Sequence, residues 1–269
     1  MKKDVLLPLF LLLLLGSVSC KKKENKGTGI NIFSINDDKK LGLDMYNYVQ
    51  DSGEYVVLDP VQYPEPYKYT NELVTKIIHS DDILHRDDFP WTVTLLKDDS
   101  ILNAFATPGG YIYIYTGLIK YLDCEDHFAG VLGHEIAHAD RRHSTQQLTK
   151  QYGLQFMLDL VLGKRQGALS NVTQSLITLS FGREAEAEAD AYSVKYLCDM
   201  GNIQADGAAG FFKKLIAKGQ SGNTPAFLST HPSPESRVEN IQNAAIASGC
   251  DTTQYCSNAY NTRLKNLLP

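Results

Sequence analysis

The chain has 269 residues, of which 43% are hydrophobic and 21% charged, and its formal net charge is −5 with a pI of about 5.8. These values indicate a globular protein with enough apolar residues for a sizeable core, in one large domain or two small ones. The sequence has no dense basic stretch beyond its first residues, which argues against nucleic acid as a partner.

The N-terminus has the pattern of an export signal. Two lysines precede an apolar run from Val5 to Leu15, which is too short to span a membrane, and small residues then lead to Cys20. The pattern resembles a bacterial lipoprotein signal, although Ser17 stands where leucine is usual. We therefore predict a signal peptide over residues 1–19 and a lipid on Cys20 that attaches the mature protein to a membrane. Ordinary signal cleavage near the same point is the alternative.

The rest of the chain predicts a tether followed by one domain. Residues 20–36 are polar and predict a flexible tether, and residues 37–269 predict the folded domain. Helical patterns cover residues 38–51 and roughly 67–79. Strand patterns follow at 91–96 and at 111–115, where YIYIY alternates aromatic and β-branched residues after a Pro-Gly-Gly turn.

A further helix is predicted from Asp123, which can cap it, through the sequence HEIAH to about His143. His134 and His138 lie one turn apart on such a helix, so both imidazoles point to the same side and suit zinc. Glu135 lies beside them and can take a proton from a zinc-bound water that attacks a peptide carbonyl. The alternative is a helix with solvated histidines, but the small residues around the motif favour close packing.

Zinc needs a third protein ligand, and the residues after HEIAH exclude one class of site. Arg141 and Ser144 occupy the positions where metzincins carry a glycine and a third histidine. His143 is predicted to point elsewhere on the helix, either as a surface histidine or as one that only contacts a ligand.

A second helix, predicted over residues 183–200, offers carboxylates instead. Glu186 and Asp190 are one turn apart and share a face, whereas Glu188 is turned away from both. A glutamate can complete the metal site, and an aspartate can hold a zinc histidine through its ring N–H. The alternative is a solvated acidic helix face. Further helices are predicted at roughly 205–218 and after Pro234.

Four cysteines belong to the predicted domain. Cys250 and Cys256 lie close together in a polar, turn-rich segment, so in an exported protein we favour a local bridge between them. The pairing of Cys124 and Cys198 stays open. A metal role for these cysteines is less favoured because the sequence contains no Cys-x-x-Cys pair.

Four segments together resemble the metallopeptidase family of the CAAX prenyl endopeptidase and HtpX, especially its periplasmic soluble or lipoprotein members. In chain order they are NAFATPGGYIYIYTGLI at 103–119, HEIAHADRRHS at 134–144, GREAEAEAD at 182–190 and THPSPESRVENI at 230–241. The resemblance covers about residues 37–245, and the motifs stand in the family's order.

The resemblance implies a role for each matching residue. His134 and His138 match the family's zinc histidines, Glu135 its catalytic base and Glu186 its third ligand. Asp190 matches the aspartate that follows the third ligand, in the position that supports a zinc histidine.

The last of the four segments adds a second candidate catalytic residue. His231 matches a His-Pro histidine that lies near the metal in the family, and it could donate a hydrogen bond to the developing oxyanion. Its alternative role is to order a proline-rich loop. Arg237 is expected to order that loop or to contact an acidic helix residue.

The YIYIY strand directly precedes the zinc helix, where zinc peptidases of this architecture use an edge strand to pair with the substrate backbone. We predict that residues 109–115 form such an edge, with Gly110, Tyr111, Ile112 and Tyr113 as binding positions for extended polypeptides. The alternative is an interior strand with half-buried tyrosines. Residues 144–182 are either a lid over the metal or helical padding.

The sequence thus predicts an α+β fold, a mostly helical zincin-type metallopeptidase domain with a small antiparallel sheet. The predicted function is a zinc-dependent metalloendopeptidase, with one Zn²⁺ per chain, that hydrolyses unfolded or misassembled proteins of the bacterial cell envelope. Its predicted location is lipid-anchored on the periplasmic side. The alternatives are a chaperone-like or latent zinc-binding lipoprotein, against which Glu135 argues, and a purely structural zinc site.

Overall fold

A computed structural model describes residues 31, 33–178, 180–218, 226–232 and 234–269. Most of this chain is helical, in agreement with the predicted α+β class, and a helix lies at each position where the sequence predicts one. The predicted signal peptide, Cys20 and most of the predicted tether lie outside the described residues. In chain order the main elements are α1 (Ile35–Asp51), α2 (Pro64–Ile78), β1 (Thr92–Leu96), β2 (Ala104–Thr107), β3 (Tyr111–Tyr115), α3 (Thr116–Tyr121), α4 (Glu125–Asp140), α5 (His143–Tyr152), α6 (Leu154–Val161), α7 (Leu169–Thr178), α8 (Arg183–Cys198), α9 (Gly207–Ala217), α10 (Ala226–Thr230) and α11 (Pro234–Ala247).

The folded part begins earlier than predicted. Phe33 is buried, and Ser34 caps α1 in a reciprocal box with Asp37. The hydroxyl of Ser34 accepts the Asp37 N–H at 3.1 Å, and the Asp37 carboxylate accepts the Ser34 N–H at 2.8 Å. Residues 33–36 therefore belong to the domain and not to the tether, because this cap fixes the start of α1.

The sheet has three strands in the order β1-β3-β2, and it is mixed. β3 pairs in parallel with β1, where Tyr111 lies opposite Thr92, and antiparallel with β2, where Tyr111 lies opposite Thr107. The predicted antiparallel sheet is therefore wrong for one of the two pairings. The reason is that β3 lies between β1 and β2, which run in opposite directions. β3 is therefore parallel to β1 and antiparallel to β2.

The predicted substrate edge is also wrong, because β3 is the central strand. Tyr111, Ile112 and Tyr113 have strand partners on both sides, and all five residues of β3 are buried. Gly110 lies in the preceding turn with a φ of +83°, a conformation that favours glycine. The tyrosines fill the core, where the ring of Phe105 stacks on Tyr113 with centroids 4.6 Å apart. β2 is the outer strand on this side of the sheet.

α4 runs through the middle of the core, and every residue from Asp126 to Asp140 is buried. A Cβ on Gly130 would lie 2.0 Å from the backbone nitrogen of Ala208 in α9. A Cβ on Gly133 would lie 2.8 Å from the hydroxyl of Ser193 in α8. These glycines let α8 and α9 approach α4 closely, as the small residues around HEIAH indicate.

α4 is shorter than predicted at both ends. It begins at Glu125 without an Asp123 cap, and it ends at Asp140 and not at His143. Arg142 adopts a left-handed conformation with a φ of 63°, so the helix breaks there and α5 starts at His143. The sequence does not signal this break, because arginine is a good helix former.

Buried contacts hold Arg142 in this conformation. Its Nε donates to Asp38 Oδ2 at 2.5 Å, and its Nη2 donates to the carbonyls of Phe33 at 2.6 Å and Ser34 at 3.1 Å. Asp38 also accepts the hydroxyl of Thr145 at 2.8 Å. The starts of α1 and α5 are therefore fixed to each other.

Two disulfides join Cys124 to Cys256 and Cys198 to Cys250. The favoured bridge between Cys250 and Cys256 is therefore wrong. The segment that carries these two cysteines crosses between the start of α4 and the end of α8, so each meets a distant partner. The buried carboxylate of Asp126 holds this segment by accepting the backbone N–H of Cys256 at 2.9 Å.

Helices α5, α6 and α7 form an arm between α4 and α8 that packs against α1. Like the other helices in the described part of the chain, they lack the length and apolar character needed to cross a membrane. Together with α1 and Phe33, the arm forms a second apolar cluster, separate from the main core around α4. Its buried apolar residues are Phe33, Leu41, Met45, Leu148, Met157, Leu160, Val161, Val172 and Leu176.

Candidate metal centre

The HEIAH motif presents both of its histidines to one point in the core. His134 and His138 are 1% and 0% exposed, and their Nε2 atoms are 3.0 Å apart. The helical repeat of α4 accounts for this arrangement, since residues four apart lie on the same face. Converging imidazole nitrogens of this kind are suited to binding a metal ion.

α8 brings carboxylates to the same point. Glu186 Oε2 lies 3.5 Å from His134 Nε2, and Glu186 Oε1 lies 3.7 Å from His138 Nε2. Asp190 lies one turn later, with its Oδ1 3.0 Å from His134 Nδ1. The face that the sequence predicts on this helix is therefore the face that meets the histidines.

His231 completes the cluster from the turn after α10. Its Nδ1 lies 2.9 Å from Glu186 Oε1 and 3.2 Å from His134 Nε2. With His138, these residues offer four ligand atoms that all lie within 4.8 Å of one another. His231 is not expected as a ligand from the sequence, although the family motif places it near the metal.

The chemistry of this donor set fits zinc. Imidazole nitrogens and a carboxylate oxygen in a buried site are ligands that Zn²⁺ prefers. Among the described residues, Oε2 of Glu186 makes no hydrogen bond of suitable geometry, although Nη1 of Arg237 lies 2.7 Å away as an ion pair. That oxygen therefore keeps a lone pair for a cation.

Glu135 is buried at 0% exposure beside the donors, and neither of its carboxylate oxygens has a hydrogen-bond partner among the described residues. The Nε2 of His231 lies 3.5 Å from its Oε1. Burial raises the pKa of Glu135, and the neighbouring His231 and His134 offset only part of this effect. A carboxylate with a raised pKa and available lone pairs can accept and return a proton near neutral pH.

The two motif histidines have pKa values shifted in opposite directions. Burial and Arg237 act to lower the pKa of His134, but hydrogen bonds to Asp190 and Glu186 outweigh them and raise it to about 9. Burial, followed by the charge of His134, lowers the pKa of His138 well below its usual value. The carboxylate beside His134 Nδ1 is the clearest difference between their surroundings.

Arg237 fixes the carboxylates of α8. Its Nε donates to Asp190 Oδ2 at 2.7 Å, and its Nη2 donates to Asp190 Oδ1 at 2.5 Å. Burial acts to raise the pKa of Asp190, but Arg237 outweighs it and lowers that pKa. Of the two roles expected from the sequence, the contact with an acidic helix residue is therefore observed.

His143 lies on the other side of the centre and is buried at 1% exposure. Its Nδ1 is 2.9 Å from Nδ1 of His138, and its Nε2 is 3.4 Å from Oε2 of Glu188. The sequence predicts either a surface histidine or one that only contacts a ligand. In the structure His143 is buried against His138 and does not lie at the surface.

Aromatic rings cover the cluster. Phe181 stacks on His138 with centroids 4.1 Å apart, and Phe227 stacks on His231 at 4.3 Å. The backbone N–H of Phe181 donates to the carbonyl of Thr230 at 3.2 Å, which ties the residues before α8 to the turn that carries His231. The four donor residues, His134, His138, Glu186 and His231, are between 0% and 4% exposed in this arrangement.

Among the described residues, β2 has no strand partner on the side toward α5, but all four residues of β2 are buried. The carbonyl of Ala106 accepts the hydroxyl of Ser144 at 2.8 Å. The side-chain oxygen of Asn103, directly before β2, is buried without a hydrogen-bond partner among the described residues. The predicted binding positions on β3 are therefore separated from α5 by the whole of β2.

The fold and the site together define a class of protein. A helix with an HExxH motif, joined by a glutamate from a second helix in a mostly helical α+β domain, is the arrangement of a zinc metallopeptidase. The sequence profile described as "Peptidase family M48" matches residues 64–245, which is more than half of the chain. The chain belongs to peptidase family M48, and this membership confirms the resemblance seen in the sequence.

Three curated relatives are similar to this chain. It is 28% identical over 216 residues to mitochondrial metalloendopeptidase OMA1 of Schizosaccharomyces pombe, covering 79% of this chain and 62% of that protein. It is 28% identical over 193 residues to the beta-barrel assembly-enhancing protease of Escherichia coli, covering 66% and 38%. It is 29% identical over 157 residues to metalloprotease YcaL of Escherichia coli, covering 56% and 60%. The chain thus spans between 38% and 62% of the lengths of these relatives.

Proposed function

We propose that this chain is a zinc metalloendopeptidase in which Glu135 is the catalytic base. The observation that carries the proposal is the buried Glu135 carboxylate, which has no hydrogen-bond partner among the described residues and lies beside converging metal donors. A purely structural zinc site needs no such carboxylate. Membership in family M48 supports the same activity.

His134, His138 and Glu186 would hold the zinc ion, the histidines through Nε2. When bound, zinc would act as a Lewis acid toward a water molecule and the scissile carbonyl. Glu135 would take the proton of the attacking water and return it to the leaving amine. Asp190 would hold His134 through its Nδ1–H, and Arg237 would keep Asp190 ionised and hold both Asp190 and Glu186 in position.

His231 is the proposed second catalytic residue, as a hydrogen-bond donor to the developing oxyanion. In the described conformation its Nδ1 instead lies among the metal donors, where it could be a fourth ligand. Catalytic zinc sites keep one position open, so the two roles exclude each other at any one moment. Loss of cleavage in a zinc-loaded His231→Ala variant would support the catalytic role, and a gain would support the fourth ligand.

The proposed substrates are unfolded or extended polypeptides, held by backbone pairing to an outer strand. Because β3 is interior, we assign this pairing to the free side of β2, near Ala106. Ser144 would have to release the Ala106 carbonyl, and Phe181 would have to leave His138. The arm of α5–α7 connects these two contacts, which supports the lid alternative for residues 144–182.

The proposed setting is the bacterial cell envelope, where the chain would remove misassembled proteins from a position anchored by a lipid on Cys20. Two observations support this setting. Both disulfides suit an exported protein, and one similar protein is named for enhancing β-barrel assembly. The alternative is a latent or chaperone-like zinc protein, which the covered donors favour.

The test compares wild type with Glu135→Gln for cleavage of casein, after each protein is shown to hold one zinc ion. Glu184→Gln is the matched control, because Glu184 is exposed on α8. We expect Glu135→Gln to lose about 10²–10⁴-fold in kcat, and Glu184→Gln to cleave normally. Equal cleavage by all three would reject Glu135 as the base. Zinc binding without cleavage by wild type would favour the latent protein.

A further inference from the structure

The two motif histidines differ in what holds their second nitrogen. The Nδ1 of His134 has the carboxylate of Asp190 as its partner at 3.0 Å. Among the described residues the Nδ1 of His138 has no carboxylate partner, and its contact is the Nδ1 of His143 at 2.9 Å. Both rings of this second pair are buried, at 0% and 1% exposure. At 2.9 Å the two ring nitrogens are within hydrogen-bond distance, so one ring can donate a proton to the other.

The direction of this hydrogen bond follows from the ligand atoms. The Nε2 of His138 faces the other donors, 3.0 Å from His134 Nε2 and 3.7 Å from Glu186 Oε1. A neutral imidazole that binds a metal through Nε2 carries its proton on Nδ1. His138 is therefore the donor and His143 the acceptor. The proton of His143 then lies on Nε2, which faces Oε2 of Glu188 at 3.4 Å.

The backbone is built to make this contact. A helix that continued past Asp140 would turn His143 away from His138, because residues five apart do not share a face. The left-handed conformation of Arg142, with a φ of 63°, breaks the helix and returns the imidazole toward His138. Arg142 is a non-glycine residue in a conformation that costs free energy, and Asp38 holds it there with a buried hydrogen bond of 2.5 Å.

We propose that His143 is a positioning residue of the metal centre, which accepts the Nδ1–H of His138 and is itself oriented by Glu188. The proposal rests on the proposed zinc metalloendopeptidase. His143 fixes the tautomer and the ring orientation with which His138 presents Nε2 to the metal. His143 is not itself a ligand, because within the described residues it lies outside the group of converging donor atoms.

The test measures the zinc dissociation constant of the full protein by competition with a chromogenic chelator. His143→Leu removes the acceptor, and we expect zinc binding to weaken about 10–100-fold. His143→Asn keeps an acceptor oxygen close to the position of Nδ1, so it should recover most of the affinity. His79→Leu is the control for the same substitution at an exposed histidine, and its affinity should equal that of wild type.

A second readout separates positioning from general loss of structure. In the zinc-loaded protein, the Nδ1 proton of His138 should give a downfield imidazole signal in proton NMR. This signal should persist in His143→Asn at a changed chemical shift. In His143→Leu it should disappear, because the proton exchanges with water. Thermal unfolding of the metal-free variants identifies any that fail to fold, in which case His143→Asn and Glu188→Gln carry the comparison.

The outcomes for the inference and for the function are distinct. Unchanged zinc affinity in a folded His143→Leu variant would overturn the role of His143 and leave the peptidase proposal intact. Wild type that bound no zinc would overturn both. Weaker zinc binding in His143→Leu with recovery in His143→Asn would establish the inference, whether or not the protein cleaves casein.

Discussion

The two sides of the metal centre start from one helix and are supported in different ways. On one side, the Nδ1 of His134 contacts the carboxylate of Asp190, which accepts two hydrogen bonds from Arg237. On the other side, the Nδ1 of His138 contacts the Nδ1 of His143, and the carboxylate of Glu188 lies beyond the His143 ring, at its Nε2. The first support is a buried ion pair, and the second is a neutral ring with a charge at its far end.

The HEIAH spacing therefore fixes the inner geometry but not the energetics around it. Removing one partner of a buried ion pair leaves an uncompensated charge and costs about 3–5 kcal/mol. Removing a neutral hydrogen-bond partner costs about 1–3 kcal/mol when a buried group is left unsatisfied. We therefore expect the His134 side to be the more sensitive of the two, and the predictions below test this in order of expected effect.

The largest expected effect comes from the disulfides, which hold both sides at once. Replacing Cys124 and Cys256 by alanine should lower the free energy of unfolding by about 5 kcal/mol, and replacing Cys198 and Cys250 by about 4 kcal/mol. These are loop-entropy estimates for sequence separations of 132 and 52 residues. Urea unfolding of each double variant measures the loss.

The same double variants also test whether either disulfide supports one motif histidine more than the other. Because one bridge lies at the start of α4 and the other at the end of α8, neither belongs to one side of the centre. The zinc losses caused by Asp190→Asn and His143→Leu should therefore keep the same ratio with and without the bridges. If the ratio of these two losses changed in one double variant, the missing disulfide would support one histidine alone.

The next effect is expected from Asp190→Asn, which breaks the charged side. It leaves Arg237 with only one acidic partner, so the metal-free protein should lose about 3 kcal/mol of unfolding free energy. Zinc binding should also weaken about 10–100-fold, because His134 loses its carboxylate. Chemical denaturation and chelator competition measure the two quantities. If His143→Leu cost as much stability as Asp190→Asn, the distinction between charged and neutral support would fail.

A smaller effect is expected from Glu188→Gln, at the far end of the neutral side. The amide can still accept the Nε2–H of His143, and the original contact is long at 3.4 Å. We expect a loss of zinc affinity below about 10-fold, the lower limit for outer partners of metal ligands. Glu184→Gln on the same helix is the control without a contact to the centre. An equal loss of zinc affinity in Glu184→Gln would mean that Glu188 does not orient His143.

The smallest effect on affinity is expected from Phe181→Ala, which uncovers one side only. The ring of Phe181 stacks on His138 at 4.1 Å, so its removal should expose the neutral side first. The equilibrium affinity should hardly change, but the rate of zinc loss to excess chelator should rise severalfold. Phe156→Ala in α6 is the control, since Phe156 is half-buried against the second apolar cluster. An unchanged rate in Phe181→Ala would mean that zinc leaves by another route.

The sequence predicts the inner site because it depends on helix periodicity. His134 and His138 on one helix, and Glu186 and Asp190 on the other, are each four residues apart, so their shared faces follow from 3.6 residues per turn. The family resemblance added His231, which periodicity alone does not reach. In the structure the side chains of these five residues lie close together.

The errors arise where distant parts of the chain decide the outcome. His143 reaches His138 because of one left-handed residue, Arg142, and no local pattern in the sequence marks it. The YIYIY strand is interior because β1 joins it in parallel, a pairing that alternation of residues does not encode. Cys250 and Cys256 are close in sequence but are held against different helices, so short spacing was a poor guide to pairing.

The bridge between Cys198 and Cys250 has a consequence for proteolysis of the protease itself. It encloses α9, α10 and α11, and therefore both His231 and Arg237 of the centre. A single cut inside that loop leaves two fragments that are still joined by a covalent bond. On a denaturing gel such a nicked chain would run as one band until a reductant is added, and the two pieces could still hold the zinc donors together.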